Sequence, residues 1–339
     1  MQQKTLINVR LLSRSQVEAL SPGPDDLIEV VASGLAAHGR KEVVQPPKGH
    51  LHLDHVMNGH FNILSAWVGP IERAGIKVIG DYVENWRRGL PSEVGVLTLY
   101  DPAIGVPVCI MDATSLTWQR TGAVTCAGAM HLAPKDSTVV AHIGARGTAF
   151  ANIQLLSRKF KLREIRINSA RPETRERLAA RVEEELGIRA KCFSSAAEAV
   201  DGADIVIEAT RLEKPEVLIP NYAVKPGALV VTYGWMMALD PAVVTGASKV
   251  VVDDWAQCKV GGALHPMIVD GRLSEKNLHA EIGQIVAGLK PGREAGDKTI
   301  VFWHRGFAVS DVVLGNWIYE RAERENVGTL FPLLEAGEE

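Results

Sequence analysis

The chain has 339 residues, of which 46% are hydrophobic and 23% are charged, and its formal net charge is −3. This composition is ordinary for a globular enzyme, and the length is enough for two domains with separate cores. The small negative charge argues against a nucleic-acid partner, and no apolar run approaches the ~20 residues of a membrane-spanning helix.

The N-terminal segment and the cysteines predict a cytoplasmic protein. Residues 1–16 lack the apolar core of a secretory signal. The four cysteines form no C-x-x-C pair, so we expect reduced thiols rather than a disulfide framework or a thiolate metal site. These cysteines are Cys109, Cys126, Cys192 and Cys258.

The first third of the chain is predicted to form a mainly antiparallel sheet preceded by a helix near Asp25–His38. Asn58-Gly59 matches a type I′ hairpin turn. Strands are expected at Gly49–Asp54, Phe61–Ala66, Ile76–Gly80 and Val94–Tyr100.

The middle of the chain alternates apolar, β-branched strands with amphipathic helices, from about Leu116 to about Asp297. Ser137–Ile143 and Ala203–Ala209 are examples of the strands, and Pro172–Leu186 is an example of the helices. This alternation is typical of a parallel, doubly wound α/β sheet. The final stretch, Phe307–Asn326, is predicted to be a helix that returns to the first domain.

A glycine-containing turn at residues 144–149 is the first sign of a dinucleotide site. Free backbone N–H groups and the helix dipole would face a pyrophosphate there. Gly144 and Ala149 fit the first and third positions of G-x-G-x-x-G/A, but Arg146 replaces the second glycine and Gly147 follows it. Either Arg146 turns outward onto a phosphate or cofactor binding is weakened; the third interpretation is a plain strand–turn–helix corner.

The strand that follows ends without the carboxylate that usually holds the ribose hydroxyls of NAD. Ser169 and Arg171 stand there instead and are suited to a 2′-phosphate. We therefore favour NADP(H), with NAD(H) as the alternative. The competing interpretation is that Arg171 is simply solvated beside Pro172.

Short motifs in a fixed order along nearly the whole chain resemble the ornithine cyclodeaminase/mu-crystallin family, which also contains alanine dehydrogenases and ketimine reductases. They are Gly75–Val78, Gly89–Pro91, Asp112–Thr117, Arg120–Ala123, the Gly144 turn, Ala203–Val206 with Ala209–Thr210, Ala280–Gly283, Pro291–Arg293, and Gly306–Ala308 with Asp311.

The resemblance implies a Rossmann dinucleotide-binding domain, residues 116–304, inserted in an α+β substrate-binding and dimerisation domain, residues 1–115 plus 305–339. It also implies a homodimer built through the N-terminal sheet and hydride transfer in a cleft between the domains. The expected cofactor contacts are Thr121, Gly144, Ala145, Arg146, Gly147, Thr148, Ala149, Ser169, Arg171, Ala209, Thr210, Tyr233 and Gly306.

The resemblance assigns the substrate carboxylate to Lys77 and Arg120, and Lys48 takes the place of an upstream arginine. A carboxylate in a partly dry site needs fixed cationic donors. Lys77 lies in an apolar strand, where burial would lower its pKa toward acid–base use; the alternative is a strand-edge lysine facing water. Lys77, Asp311 and His304 are the catalytic candidates. His304 is either a proton donor to the substrate nitrogen or a structural histidine.

A histidine-rich segment precedes the first hairpin turn. Lys48, His50 and His52 share one face of a strand, because side chains alternate. We expect these groups to line the substrate site and to contact a polar substrate group. The alternative is a zinc site completed by His60 or Asp54, although the family uses no metal here. His55 belongs to the same segment.

The catalytic aspartate of the cyclodeaminases has no clear equivalent in segment 231–240, where Trp235 and Met236 replace polar residues. This favours an NAD(P)-dependent amino-acid dehydrogenase or imine reductase that acts at the alpha-carbon of a small amino or imino acid. The alternatives are a cyclodeaminase-type lyase that releases ammonia, and a non-catalytic ligand-binding protein like mu-crystallin. Arg146 is the feature that favours the last.

Overall fold

The computed structural model describes residues 5–53 and 57–336. The chain forms two compact units, Met1–Arg120 with Ala308–Glu339 and Thr121–Phe307. In the described ranges, no helix is both long and apolar enough to cross a membrane.

The strands are β1 (Thr5–Leu12), β2 (Val43–Val44), β3 (Gly49–His52), β4 (His60–Val68), β5 (Arg73–Asp81), β6 (Glu93–Asp101), β7 (Val106–Asp112), β8 (Val139–Ile143), β9 (Glu164–Asn168), β10 (Arg189–Phe193), β11 (Ile205–Glu208), β12 (Leu229–Thr232), β13 (Lys249–Val252), β14 (Ala280–Glu281), β15 (Ile300–Trp303) and β16 (Thr329–Ala336).

The α-helices are α1 (Arg14–Leu20), α2 (Pro24–Gly39), α3 (Thr114–Leu132), α4 (Ala149–Lys159), α5 (Pro172–Leu186), α6 (Ala196–Val200), α7 (Pro241–Thr245), α8 (Trp255–Cys258), α9 (His265–Val269), α10 (Ile282–Val286) and α11 (Ala308–Glu325).

The first unit is built on a sheet in the order β16-β1-β7-β6-β5-β4-β2, with β3 paired to β4. All pairs are antiparallel except β1 with β7. Helix α11 covers one face so closely that a Cβ on Gly75 would lie 2.8 Å from Val312. Alternation along β5 therefore buries Lys77 on the helix-covered face and leaves Ile76 and Val78 on the other. The predicted antiparallel sheet and opening helix are confirmed.

The hairpin of β3 and β4 has a longer connection than the predicted two-residue type I′ turn. His52 pairs with His60, so the connection is residues 53–59. Gly59 is required for a different reason: a Cβ there would collide with the ring of Tyr82. Asp54 and His55 lie outside the described residues.

The second unit is a parallel sheet in the order β10-β9-β8-β11-β12-β15-β13-β14. Strands β8, β11 and β12 are almost wholly buried, as expected for strands with helices on both faces. Strand order reverses between β8 and β11, which is where doubly wound sheets bind nucleotides at their carboxyl ends. The predicted Rossmann-type α/β fold, inserted between two segments of an α+β unit, is confirmed.

Candidate active site

A buried charge cluster lies in the first unit, where β5, α3 and α11 meet. The Nζ of Lys77 donates to Oδ1 of Asp311 at 2.7 Å and to the hydroxyl of Thr117 at 3.2 Å. The Nε of Arg120 forms an ion pair with the same Asp311 oxygen at 2.9 Å. Lys77 and Asp311 are each only 1% exposed and Arg120 is 6% exposed. Two cations therefore share one carboxylate, which leaves the cluster with a surplus positive charge.

The other oxygen of Asp311, Oδ2, is buried and has no hydrogen-bond partner in the part of the chain that the structure describes. A buried carboxylate oxygen without a donor is costly, and such atoms are found where a ligand completes the hydrogen bonding. The cluster thus offers cationic donors and one free acceptor at the same place.

The pKa of Lys77 is lowered from its usual 10.5 to about 8, because burial and the neighbouring charge of Arg120 lower it more than Asp311 raises it. A lysine whose pKa lies near neutrality can give up and regain a proton at physiological pH. The geometry is thus suited to holding a carboxylate and to moving a proton.

The turn between β8 and α4 has the backbone of a dinucleotide site. Gly144 has φ 103°, and a Cβ there would lie 2.5 Å from the carbonyl oxygen of Ala209. Gly147 also has a positive φ, 54°. Within the described chain, the N–H groups of residues 145–148 have no hydrogen bond to another backbone group. Backbone N–H groups of this kind beside a helix N-terminus are suited to an anion such as a pyrophosphate.

Arg146 lies on the exposed side of this turn. Its pKa is lowered by partial desolvation and by the positive charges of Arg171 and Arg177. Arg146 follows β8 and Arg171 follows β9, so both lie near the carboxyl ends of these strands, and Arg177 of α5 is close enough to act on the charge of Arg146. Arg171 also faces Glu173 at 3.7 Å, and Ser169 donates to the Arg171 carbonyl at 3.0 Å.

Two predicted site residues of the second unit, Tyr233 and His304, are stacked with ring centroids 4.7 Å apart. The Tyr233 hydroxyl bonds to the hydroxyl of Thr148 at 2.6 Å and accepts from Nδ2 of Asn152 at 2.6 Å. The Nε2 of His304 lies 3.2 Å from the Thr125 hydroxyl, and the residue is 1% exposed. This network fixes the loop after β12 against the start of α4.

Sequence reasoning missed Glu208, which is fully buried at the end of β11. Its carboxylate accepts from the Thr232 hydroxyl at 2.7 Å and from both the N–H and the hydroxyl of Thr210. Burial raises the pKa of Glu208, and the hydrogen bonds of Thr210 and Thr232 oppose this shift. The glutamate joins the loop after β11 to the end of β12, so it positions the predicted contact Thr210. The available signal was a glutamate at the end of the apolar strand in the sequence ADIVIEAT.

The predicted site residues are thus placed in both units. In the first unit are Lys48, His50, Lys77, Arg120 and Asp311, and in the second are Thr121, Gly144, Ala145, Arg146, Gly147, Thr148, Ala149, Ser169, Arg171, Ala209, Thr210, Tyr233, His304 and Gly306. Between residues 5–53 and 57–336, no group of three or more His, Cys, Asp or Glu side chains is arranged to hold a metal ion.

The first unit holds a buried lysine–carboxylate cluster, and the second unit has a Rossmann-type fold. This combination is that of a dinucleotide-dependent enzyme. Residues 8–326 match the ornithine cyclodeaminase/mu-crystallin family, and the chain belongs to that family.

The chain is also similar to characterised family members over nearly its whole length. Alanine dehydrogenase of Archaeoglobus fulgidus is 29% identical over 323 residues, which cover 94% of this chain and 97% of the relative. The structure of Thermococcus litoralis Delta(1)-pyrroline-2-carboxylate reductase in complex with NADH and L-proline is 29% identical, has a TM-score of 0.88, and covers 95% of this chain and 99% of its own. An archaeal alanine dehydrogenase dimer with bound NAD is 28% identical with a TM-score of 0.89, covering 97% and 100%.

Proposed function

We propose that the protein is an NAD(P)-dependent amino-acid dehydrogenase or imine reductase that transfers hydride to or from the alpha-carbon of a small amino or imino acid. The buried cluster of Lys77, Arg120 and Asp311 carries this proposal, because its surplus positive charge and low lysine pKa suit a substrate carboxylate and a proton transfer. The relatives named above act on amino and imino acids and bind NAD or NADH.

In this proposal Lys77 and Arg120 hold the substrate carboxylate, with Lys48 contributing from the first hairpin. The free oxygen of Asp311 accepts an N–H of the substrate nitrogen. Lys77 gives a proton to the product amine in reduction and takes it back in oxidation. The proposed substrate-binding domain, residues 1–115 plus 305–339, supplies Lys48, Lys77 and Asp311, and Arg120 follows it in α3.

The proposed cofactor domain is residues 116–304. When bound, the nicotinamide supplies or takes the hydride. The N–H groups of residues 145–148 would hold the pyrophosphate, and the loop around Thr210 would stay ordered through Glu208. The stacking on Tyr233 and the bond to Thr125 support a positioning role for His304, beside the predicted role as proton donor.

The function is tested by adding the protein to NADPH or NADH and following nicotinamide fluorescence and energy transfer from tryptophan. We expect saturable binding, and then cofactor oxidation with a panel of 2-oxo acids plus amines and cyclic imines. If neither cofactor binds, the proposed function is refuted, because hydride transfer requires the nicotinamide. Ammonia and proline formed from ornithine, without net change in cofactor, would establish the lyase instead.

The cluster of Arg146, Arg171 and Arg177 supports a preference for NADP(H). Guanidinium groups at this place match a 2′-phosphate. We expect NADPH to bind at least about tenfold more tightly than NADH, and Arg146→Ala to weaken NADPH by about tenfold, or ~1.4 kcal/mol. The affinity for NADH should change far less.

The control for this measurement is Arg189→Ala, an exposed arginine on β10. It should leave both dissociation constants unchanged. Equal affinities for the two cofactors, or an Arg146→Ala variant that weakens both alike, would assign the cofactor as NAD(H).

We propose a homodimer through the sheet face opposite Lys77. This face carries a group of apolar side chains that are each at least 40% exposed: Ile63, Ile76, Val78, Val94 and Val96. The register of β4, β5 and β6 places Ile63, Val78 and Val96 side by side. A continuous apolar face of this kind marks a protein interface, and a second copy buries it symmetrically.

Val96→Lys should convert the dimer to a monomer, because it places a charge in the middle of that face. The measurement is molar mass by light scattering after size exclusion. Val217→Lys, at an exposed valine of the second unit, is the matched control and should remain dimeric. A monomeric parent protein, or a dimer that tolerates Val96→Lys, would rule out this interface.

A further inference from the structure

Three imidazoles gather at one end of the first unit's sheet. The rings of His50 and His52 are stacked at 5.4 Å, and the ring of His60 lies 6.3 Å from His50 and 5.8 Å from His52. The Nε2 of His60 faces Oδ2 of Asp81 at 3.9 Å. His50 and His60 are partly buried and His52 is exposed, so the cluster borders solvent.

The strand register puts this cluster on the same sheet face as Lys77. His50 pairs with Asn62 and His52 with His60 across β3 and β4. Asn62 in turn pairs with Ile79 on β5, which lies two residues from Lys77. Directly paired residues share a face, so the imidazoles and the Lys77 ammonium belong to one surface.

The distance between the imidazoles and Lys77 is comparable to the length of a small molecule. Two strand separations of about 4.8 Å and two residues of about 3.3 Å place the Cα atoms of His50 and Lys77 roughly 12 Å apart. Both side chains occupy part of this distance.

The chain also ties the segment before β3 to the charge cluster. The side-chain oxygen of Gln45 accepts a hydrogen bond from the Val309 N–H at 3.0 Å, in the first turn of α11. Asp311 lies in the same turn, and Lys48 follows Gln45 by three residues. The β2–β3 connection, with Lys48 and then His50, is thereby held at the positive end of an 18-residue helix.

Resting on the proposed function, we infer that the substrate carries a second acidic group on its side chain, and that His50, His52 and His60 bind it while Lys77 and Arg120 hold the alpha-carboxylate. The substrate class is therefore a dicarboxylic amino or imino acid. Asp81 orients His60, whose Nε2 lies 3.9 Å from Oδ2 of Asp81.

The imidazoles of this face favour an anion over a neutral or basic side chain. Lys48, Lys77 and Arg120 only balance the carboxylates of Asp81, Glu93 and Asp311, and Glu93 lies on this face because it pairs with Asp81. Two stacked imidazoles repel each other when both are protonated, and an anion between them removes that repulsion. A basic side chain between the same protonated imidazoles would add to the repulsion.

The test compares pairs of ligands that differ by one carboxylate. With cofactor and ammonia, we expect kcat/KM for 2-oxoglutarate to exceed that for 2-oxopentanoate by at least tenfold. With cofactor bound, glutarate should inhibit at least tenfold more strongly than pentanoate. The double variant His50→Gln/His52→Gln should remove both differences. It should weaken the dicarboxylic ligands and leave the monocarboxylic ligands unchanged.

The control His265→Gln, at a partly exposed histidine of the second unit, should retain both preferences. Equal or greater activity with the monocarboxylic ligands, or a double variant that weakens all ligands alike, would overturn the inference while leaving the reductase intact. One zinc ion per chain, lost in the double variant, would also overturn it. Failure to bind either nicotinamide cofactor would instead refute the proposed function.

Discussion

Lys77→Met is expected to lower kcat/KM by at least about a thousandfold while the protein stays folded. The change removes both a hydrogen-bond donor to the substrate carboxylate and the proposed proton donor. A positioned acid or base alone contributes about 10²–10⁴-fold to the rate. Methionine fills a similar volume, and Asp311 keeps its ion pair with Arg120 at 2.9 Å. Since a buried ammonium is expensive to desolvate, loss of the lysine should cost little stability.

The matched control is Lys249→Met. Lys249 is also nearly buried and also paired, with Glu294 at 2.7 Å and Asp297 at 2.8 Å, but it lies on β13. This variant should retain kcat/KM and lose stability to urea instead. Steady-state rates and urea midpoints for both variants separate a catalytic lysine from a structural one. Retention of more than a tenth of the parent kcat/KM in Lys77→Met would contradict the assignment.

The pH dependence gives a second measurement on Lys77. With a pKa of about 8, the ammonium is present below this pH and is lost above it. In the reductive direction, kcat/KM should therefore fall as the pH rises through about 8, and Lys77→Arg should move this fall to higher pH. The free energy of unfolding has the opposite pH dependence. Between about pH 8 and 10.5 the unfolded chain still binds a proton that folded Lys77 has released. The contribution of this group to stability therefore rises with pH. If Lys77→Arg leaves the pH profile of kcat/KM unchanged, then the titrating group is not Lys77.

The sequence was sufficient to predict the kinds of element and the ends of several of them. Pro172–Leu186 was predicted and observed with the same bounds, because proline starts that helix and Gly187, with φ 66°, ends it. Strand β1 and its partner β16 were not predicted. They join residues more than 300 positions apart, and local periodicity carries no information about such pairing.

The site was predicted in part, for the same reason. Lys77 and Asp311 were both predicted as catalytic residues from the family resemblance, and a lysine in an apolar strand is itself unusual. The two residues are 234 positions apart, and only the fold shows that they form a pair. Glu208 was missed because one of its donors, Thr232, ends the neighbouring strand β12, 24 positions along the chain. The gathering of Arg146 with Arg171 and Arg177 likewise depends on β8 and β9 being neighbours. The type of a residue thus indicated which positions are candidates for the site, and the tertiary structure determined which residues they contact.

Gly144→Ala is expected to remove cofactor binding and to destabilise the second unit. Two physical effects act at this position. A φ of 103° is strained for any residue with a Cβ, and that Cβ would lie 2.5 Å from the carbonyl oxygen of Ala209. The turn must therefore shift away from β11, which displaces the N–H groups of residues 145–148 from the geometry that a pyrophosphate requires.

Gly227→Ala separates the two effects. Gly227 has φ 89°, but a Cβ there would have no neighbour within 4 Å. This variant should lose only the conformational term, about 1–2 kcal/mol of stability, and bind NADPH as the parent does. Gly144→Ala should lose more than this and weaken NADPH by at least about a hundredfold, or ~2.7 kcal/mol. Urea midpoints and fluorescence titrations measure the two losses. If Gly144→Ala binds NADPH as tightly as Gly227→Ala does, then the β8–α4 turn does not hold the cofactor, and the arginine cluster beside it loses its proposed role in selecting the 2′-phosphate.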